Sequence, residues 1–316
     1  ALDATIALPK SALVLCWDLE HTGCHRGDTY LDVDIFELGA HLLRWAGGKL
    51  TPVEGGRFDY LVRCTKPMTN YVRENIALDR PGPKRATAER LEAARTLPAV
   101  LAEWVSRVQA SKRKADEPVV LAGHNAFSVD WKIMYWCMIK AEMEAYGMLA
   151  DLGVIGVLDT LVLAKQLPEA EREKLSKTEA GNVSYANKSL VKGLLGWDED
   201  RLTWHQAVDD ARGTAEVLCT PAMRALLPRA HLMKALIRLE QLVLAVHHAH
   251  NERVQKTSPD AAPAGKKRAA GVCSYCQGRA TPAHTNRRSC PQRLRDEAAK
   301  AAAGASGTAQ PGTSDS

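Results

Sequence analysis

The fold of this chain is decided near its N-terminus by the stretch Leu13-Val14-Leu15-Cys16-Trp17-Asp18-Leu19-Glu20-His21-Thr22-Gly23. A short unbroken apolar run that stops at acidic residues is typical of a strand buried on both faces. Because residues two apart on a strand point to the same side, Asp18 and Glu20 share a face at its end. Two neighbouring buried carboxylates repel each other and lose hydration, so the pair needs a cation between them. A divalent metal is the obvious candidate.

Four further apolar runs predict the other strands, at residues 35–43, 58–62, 118–122 and 154–158. The first two follow the opening strand with glycine-rich turns between them, Gly47-Gly48 and Gly55-Gly56, which predicts an antiparallel three-strand meander. The last two alternate with predicted helices, as parallel strands do. The sequence therefore predicts an α/β fold, with a mixed sheet covered by helices on both faces.

Apolar residues at helical spacing predict the helices. They cover residues 87–110 with a break at Pro98, 131–148, 160–166, 189–195, 205–219 and, as one or two helices, 223–254. Residues 168–187 are polar and predict a loop. Ligands of such folds bind beyond the strand ends, which is where Asp18, Glu20, His124 and Asp159 fall.

The composition is that of a globular protein, with no predicted membrane span or secretory signal. The 316 residues allow one domain of about 200–250 residues with smaller appendages. No run of 18 or more apolar residues occurs. Five of the eight cysteines are scattered and three share one short stretch with a histidine, a pattern typical of reduced thiols and a metal site. We expect an intracellular protein, in the nucleus or the cytoplasm, with no membrane partner.

Positive charge is concentrated towards the C-terminus. The net charge is +5, yet residues 251–295 hold ten lysines and arginines against two acids. An acidic body with a basic tail is typical of a body that binds metal and a tail that binds a polyanion. A solvated linker explains the same basic stretch equally well, so both interpretations stay open.

Further acids lie in the predicted helices. Asp130 opens the helix that follows the 118–122 strand, and Asp210 lies in the 205–219 helix, five residues after His205. Taken singly, each has a structural explanation as a capping or surface residue. Asp209 would be the ligand instead of Asp210 if the register were shifted by one. The ordered combination is more specific than any single member.

In this order the acids resemble the motifs of DEDD-type 3′→5′ exonucleases of the RNase H-like superfamily, over residues 12–226. The motifs are Asp18-x-Glu20, Asn125 through Asp130, and His205-x4-Asp210. The histidine is typical of the DEDDh branch, and Gln206 stands where the tyrosine branch has Tyr. The spacing of the second motif and the sequence of residues 18–23 are similar to those of three-prime repair exonucleases.

The resemblance implies two Mg²⁺ or Mn²⁺ ions and release of nucleoside 5′-monophosphates from the 3′ end of single-stranded DNA or RNA. His205 would be the general base, since an imidazole with an ordinary pKa of about 6.5 takes up a proton near neutral pH. The implied metal ligands are Asp18, Glu20, Asp130 and Asp210. The implied substrate contacts are Leu19, His21 and Thr22 at the 3′-terminal nucleotide, with His124 and Asn125 bordering the site. Asp159-Thr160 matches a recurrent structural feature of the family.

Two other functions are compatible with these motifs. A nucleic-acid-binding protein could keep the exonuclease-like domain as an inactive scaffold, although all five expected catalytic positions are filled. An endonuclease of the same superfamily would cut a circular single strand, which has no 3′ end.

A second metal site is predicted near the C-terminus, with the ligands Cys273, Cys276, His284 and Cys290. Three thiolates and one imidazole complete a tetrahedral Zn²⁺ site. The segment resembles a zinc knuckle for single-stranded nucleic acid, with longer gaps than usual before His284 and Cys290. Tyr275 and nearby arginines suit contact with RNA or DNA. The alternative is a set of incidental cysteines in a disordered tail.

The sequence thus predicts five successive parts of the chain. They are a DEDDh exonuclease domain at 1–226, a helical extension at 227–255, a linker at 256–270, the zinc knuckle at 271–293 and a disordered tail at 294–316.

Overall fold

The computed structural model describes residues 5–23, 30–76, 86–198 and 200–257, with side chains as far as residue 248. The chain divides into one compact unit, Ala1–Val243, and a second, Leu244–Ser316. Of the second unit only residues 244–257 are described, and they are helical. The predicted linker beyond residue 257, the zinc knuckle and the tail lie outside the described residues.

The first unit is built on a six-stranded mixed sheet. Its strands are β1 Ser11–His21, β2 Ile35–Ala46, β3 Lys49–Leu61, β4 Val119–Gly123, β5 Val154–Asp159 and β6 Leu236–Arg238, in the order β3-β2-β1-β4-β5-β6. The first three strands are antiparallel neighbours, β4 and β5 run parallel to β1, and β6 is antiparallel to β5. The predicted mixed sheet, a three-strand antiparallel meander joined to parallel strands, is confirmed.

Helices surround this sheet. Those in the described part of the chain are α1 Asn70–Asn75, α2 Ala88–Glu92, α3 Leu97–Ser111, α4 Asp130–Lys140, α5 Ala145–Asp151, α6 Thr160–Ala164, α7 Glu169–Arg172, α8 Asn187–Leu195, α9 Ala207–Cys219, α10 Pro221–Leu226 and α11 Leu239–Thr257. No helix among the described residues is both long enough and apolar enough to cross a membrane.

Strand β1 is buried on both faces, as its sequence predicts. Val14 and Cys16 lie in an apolar cluster that includes residues of α8 and α9. Leu13, Leu15 and Trp17 are at most 2% exposed and, by the alternation of a strand, face the other side. Residues 18 and 20 therefore lie on the face that α9 covers.

The second glycine pair of the meander was wrongly predicted to be a turn. Gly47 and Gly48, both with positive φ, connect β2 to β3 as expected. Gly55 and Gly56 instead lie within the continuous strand β3. The pairing register shifts between His41 and Leu43, so the extra residues form a bulge rather than a second hairpin.

Two helical predictions were also wrong. Residues 131–148 form two helices, because the chain turns at Glu142, whose φ is +59°. Residues 236–238, predicted to be helical, form β6 and pair with β5 at the sheet edge. The sheet therefore includes residues beyond 226. The break predicted at Pro98 is real, since this proline lies in the first turn of α3.

Candidate active site

Strand β1 delivers two carboxylates to the α9 face of the sheet. Glu20 is 8% exposed and Asp18 is partly buried. Across the pair with β2, Asp18 lies opposite Gly39 and Glu20 lies opposite Glu37. Strand β4 pairs with β1 only as far as Cys16, so the carboxylates lie just beyond the end of the parallel ladder.

The first turn of α9 lies almost in contact with the backbone of β2. A Cβ atom added to Gly39 would lie 2.1 Å from the backbone nitrogen of Val208, closer than two atoms can approach. Glu37 Oε1, in a side chain only 2% exposed, accepts a hydrogen bond from the backbone N–H of Ala207 at 3.0 Å. The absent side chain of Gly39 and this hydrogen bond together position the start of α9 beside Asp18.

This start of α9 brings the third motif to the first. Glu20, His205 and Asp210 each offer one ligand atom, and these atoms lie within 4.8 Å of one another. They are the one group of three or more potential metal ligands found among the described residues. His205 is exposed, has a φ of +61°, and donates its backbone N–H to Asp210 Oδ2 at 2.9 Å.

The two neighbouring aspartates of α9 have different surroundings. Asp209 Oδ2 accepts a hydrogen bond from the backbone N–H of Thr203 at 2.9 Å, which closes the turn before the helix. The main chain of Asp210 is held by Asn187, whose Nδ2 donates to its carbonyl oxygen at 2.9 Å. The structure therefore directs Asp210, rather than Asp209, to the cluster with Glu20.

Asp130, the first residue of α4, lies close enough to Asp210 for their charges to interact. Burial, followed by the charges of Asp159 and Asp210, raises the pKa of Asp130 to about 7. Asp18 lies among these acids as well. Burial raises the pKa of its carboxyl well above the ordinary value, and the charges of Asp210, Asp130, Glu20 and Glu37 add to the effect. Of the four predicted metal ligands, Glu20 and Asp210 thus meet within 4.8 Å, and the charges of Asp18 and Asp130 interact with that of Asp210.

This donor set fits hard divalent cations. Carboxylate oxygens are the ligands that Mg²⁺ and Mn²⁺ prefer. Burial is the main cause of the raised pKa of Asp18 and Asp130, and the charges of neighbouring carboxylates add to it. A cation bound among these carboxylates relieves their repulsion. The Cys273, Cys276, His284 and Cys290 set lies outside the described residues.

Asp159 organises the loop that leads to Asp130. Its carboxylate accepts the backbone N–H groups of Asn125 and Phe127, both at 3.1 Å, and it caps α6 by accepting that of Leu161 at 2.9 Å. Burial nevertheless raises its pKa against the lowering effect of these bonds. Its contacts are those of a structural residue, the role that the resemblance implies.

The residues predicted to border the site lie in this loop. Burial lowers the pKa of His124 to about 4, and its Nδ1 lies 3.1 Å from Thr160 Oγ1. Asn125 has a φ of +60° and accepts a hydrogen bond from Ser128 Oγ at 2.8 Å through its side-chain oxygen. His124 is therefore a neutral polar group at neutral pH.

The three predicted contacts for the terminal nucleotide differ from one another. The side chain of Leu19 is 4% exposed and lies on the face of β1 opposite Asp18 and Glu20, so the structure does not bring it to the cluster. The fully buried Thr22 accepts the N–H of Asp34 through Oγ1 at 3.0 Å. His21 Nδ1 accepts the N–H of Gly23 at 3.0 Å, and burial lowers the pKa of this ring.

Sequence reasoning missed Glu37, Gly39 and Asn187. A signal for Glu37 existed, because it is the one acid inside the mostly apolar run 35–43 that predicts a buried strand. Gly39 is conspicuous in the same run. Asn187 carried no signal, since an asparagine in a polar segment has no local reason to hold a distant helix.

No family model matches this chain, and no curated protein matches it. Solved structures do match. A full-length 3′-exonuclease is 13% identical, with a TM-score of 0.47 over 72% of this chain and 64% of that one. E. coli exonuclease I in complex with a dA16 oligonucleotide is 15% identical, with a TM-score of 0.48 over 70% of this chain and 42% of that one.

A third matching structure is the nuclease domain of 3′hExo, a DEDDh family member, bound to rAMP. It is 13% identical, with a TM-score of 0.44 over 70% of this chain and 94% of that one. This chain thus covers less than two thirds of the full-length 3′-exonuclease and of exonuclease I.

Proposed function

We propose that this chain is a metal-dependent 3′→5′ exonuclease that acts on single-stranded DNA or RNA and releases nucleoside 5′-monophosphates. The observation that carries the proposal is the meeting of Glu20, His205 and Asp210 within a cluster whose charges also raise the pKa of Asp18 and Asp130. These side chains come from β1, α4, α9 and the turn before α9. Acids from such distant segments converge where a function offsets their repulsion.

Asp18, Glu20, Asp130 and Asp210 would hold two Mg²⁺ or Mn²⁺ ions. When bound, such ions supply positive charge against the scissile phosphate and promote formation of the hydroxide nucleophile. Glu37 lies on β2 opposite Glu20 and accepts the hydrogen bond from the first turn of α9. It would therefore position the ligands without binding a metal itself.

His205 would act as the general base in this reaction. Its ring lies beside the carboxylates of Glu20 and Asp210 and is exposed, so it can take a proton from the attacking water and return it to solvent. Water forms a bond to phosphorus, the bond from phosphorus to O3′ of the preceding nucleotide breaks, and O3′ takes up a proton from solvent. The released nucleotide keeps its 5′-phosphate, and the shortened strand ends in a 3′-hydroxyl.

The test is digestion of matched 5′-labelled DNA and RNA oligonucleotides with Mg²⁺, Mn²⁺ or EDTA. We expect a ladder of shortening strands and free mononucleotide, both lost with EDTA and in Asp210→Asn. Asp209→Asn is the matched control and should stay close to wild type, since its amide oxygen can still accept from Thr203. Binding of the strand without release of nucleotide would favour the inactive scaffold, and cutting of a circular single strand would favour an endonuclease.

We also propose that Cys273, Cys276, His284 and Cys290 bind one structural Zn²⁺ and form a knuckle that holds single-stranded nucleic acid near the active site. The support is the ligand set in the sequence. Tethering acts through effective concentration, so its loss affects affinity more than turnover. The double variant Cys273→Ser/Cys276→Ser should lose the zinc measured by elemental analysis and raise KM with kcat unchanged. Equal zinc content in both proteins would refute the site.

A further inference from the structure

A basic cleft lies beside the stretch that follows Glu20. It has a volume of about 390 Å³, and its lining includes the cations Arg63, Lys66 and Arg73 against one acid, Glu92. We call it the basic cleft. None of these four residues belongs to the carboxylate cluster. The volume falls within the range of about 300–1,000 Å³ that is typical of ligand sites.

Thr69, which follows the wall residue Met68, contacts Thr22 and Gly23. The backbone N–H of Thr69 donates to the carbonyl oxygen of Thr22 at 2.8 Å. A Cβ atom added to Gly23 would lie 2.5 Å from Thr69 Oγ1, so the two segments are in contact. The segment that carries the lining residues Pro67 and Met68 therefore contacts the segment that follows Glu20.

Asp34 holds the cationic part of the same wall. One of its carboxylate oxygens, Oδ2, accepts the backbone N–H groups of Thr65 at 2.6 Å and Lys66 at 2.9 Å. Its own N–H donates to Thr22 Oγ1, and its other carboxylate oxygen pairs with Lys140. The backbone of Lys66 is thus linked to Thr22 through one buried residue, Asp34. These hydrogen bonds fix the position of this part of the wall.

The chemistry of the lining suits one nucleotide within a strand. Cys64, Met68 and Leu91 form an apolar part of the lining and belong to one hydrophobic cluster below it. Arg63 and Arg73 are exposed, and Arg63 is anchored by a hydrogen bond from Nε to the carbonyl oxygen of Ala94 at 3.0 Å. An apolar floor accepts a base or ribose, and surrounding cations attract phosphates.

We infer that the basic cleft binds an internal nucleotide and its phosphates, on the 5′ side of the scissile bond, while the 3′ end lies at the carboxylate cluster. This inference rests on the proposed exonuclease function. Strands long enough to span both places gain affinity, and a dinucleotide does not.

The test compares two double variants that each remove two positive charges. Lys66→Gln/Arg73→Gln changes the cleft, and Lys165→Gln/Arg229→Gln is the control at exposed positions outside it. Fluorescence anisotropy in EDTA measures binding of a 5′-labelled 12-nucleotide strand. We expect about tenfold weaker binding for the cleft variant. The slope of log K against log salt concentration should become about 1.4 less steep, since each phosphate contact to a single strand contributes about 0.7 to that slope. The control should stay near wild type.

The kinetic arm uses the same variants with Mg²⁺. The cleft variant should raise KM for the 12-nucleotide strand, keep kcat, and leave kcat/KM for a dinucleotide unchanged. Equal losses in the two double variants, or an equal loss on the dinucleotide, would overturn the inference. The inference would also be overturned if the cleft variant bound a free mononucleotide more weakly by the same factor as it bound the strand, because the cleft would then be a site for free nucleotide.

The two proposals fail in different ways. A wild-type chain that releases no nucleotide refutes the exonuclease, while the anisotropy comparison in EDTA still decides whether the cleft holds the strand. If the enzyme is active but the cleft variant binds the 12-nucleotide strand as tightly as the control variant, only the inference about the cleft is refuted.

Discussion

Glu37 Oε1 accepts a hydrogen bond from the backbone N–H of Ala207 at 3.0 Å, and this bond joins strand β2 to the first turn of helix α9. The N–H groups of a first helical turn have no partner within the helix, so a buried acceptor from another element stabilises the helix start. Glu37 is also the cross-strand neighbour of Glu20. One side chain thereby links the two segments that carry Glu20 and Asp210.

Two substitutions of Glu37 distinguish the effect of its hydrogen bond from the effect of its charge. Glu37→Ala leaves the N–H of Ala207 without this acceptor and should lower the free energy of unfolding by about 1–3 kcal/mol. It should also raise the Mg²⁺ concentration at half-maximal activity, because Asp210 is less well held. Glu37→Gln keeps an acceptor oxygen and should lie closer to wild type in both measurements. Denaturant unfolding measures the stability, and a Mg²⁺ titration of activity measures the metal requirement. A Glu37→Ala variant with wild-type stability and activity would contradict the prediction.

Gly39 should not tolerate a side chain. In Gly39→Ala the new methyl group would meet the backbone of Ala207 and Val208 at 2.1–2.3 Å, so α9 must move away from β2. We expect lower stability and a large loss of nuclease activity. Gly147→Ala is the matched control, since its added Cβ has no neighbour closer than 3.8 Å and alanine favours the helix. Equal activity of the two variants would show that the approach of α9 does not matter.

The raised pKa of Asp130 makes stability depend on pH in a defined direction. A carboxyl whose folded pKa is about 7, above an unfolded value of about 3.9, contributes stability that is complete below pH 4 and is lost as the pH rises through 7. In EDTA at pH 8, Asp130→Asn should therefore be more stable than wild type by up to about 4 kcal/mol, because each tenfold difference in proton affinity between the folded and unfolded states corresponds to about 1.4 kcal/mol.

Two comparisons control this prediction for Asp130. At pH 4 the advantage of Asp130→Asn should vanish, because the wild-type carboxyl is then protonated. Added Mg²⁺ should stabilise the wild type more than the variant. An Asp130→Asn protein that is the less stable of the two at pH 8 without metal would show that its carboxylate is not under repulsion.

Asp34 shows the opposite dependence on pH. Burial raises the pKa of this carboxyl, but hydrogen bonds from Lys140, Thr65 and Lys66 outweigh burial and hold the pKa below its ordinary value. Its contribution is therefore present above the unfolded pKa of about 3.9 and is lost as the pH falls through the lower folded value.

Asp34→Asn should destabilise the protein at pH 7 by about 1.5–3 kcal/mol, the usual cost of losing a hydrogen bond to a charged group. Denaturant unfolding between pH 3 and pH 7 measures the effect, and the two proteins should converge at the acidic end. A difference that persists unchanged at pH 3 would assign the role of Asp34 to its shape rather than its charge.

Local pattern was sufficient for the sheet where strands are continuous and apolar. The five residues before Asp18 predict a strand buried on both faces, and the structure contains it. The same reasoning failed at Gly55-Gly56, because a glycine pair allows either a turn or a bulge and only the pairing with β2 selects between them. It failed again at residues 236–238, which pair with β5 at the edge of the sheet.

The sequence by itself determined which acids stand at the strand and helix ends, and that Asp18 and Glu20 share one face, because strand periodicity is a local property. The tertiary structure alone decided that Asp210 and His205 meet Glu20 in space. It alone revealed that Glu37 and Gly39 bring α9 to β1. Those outcomes depend on contacts between residues more than 160 positions apart, such as Glu37 with Ala207, which no periodicity along the chain encodes.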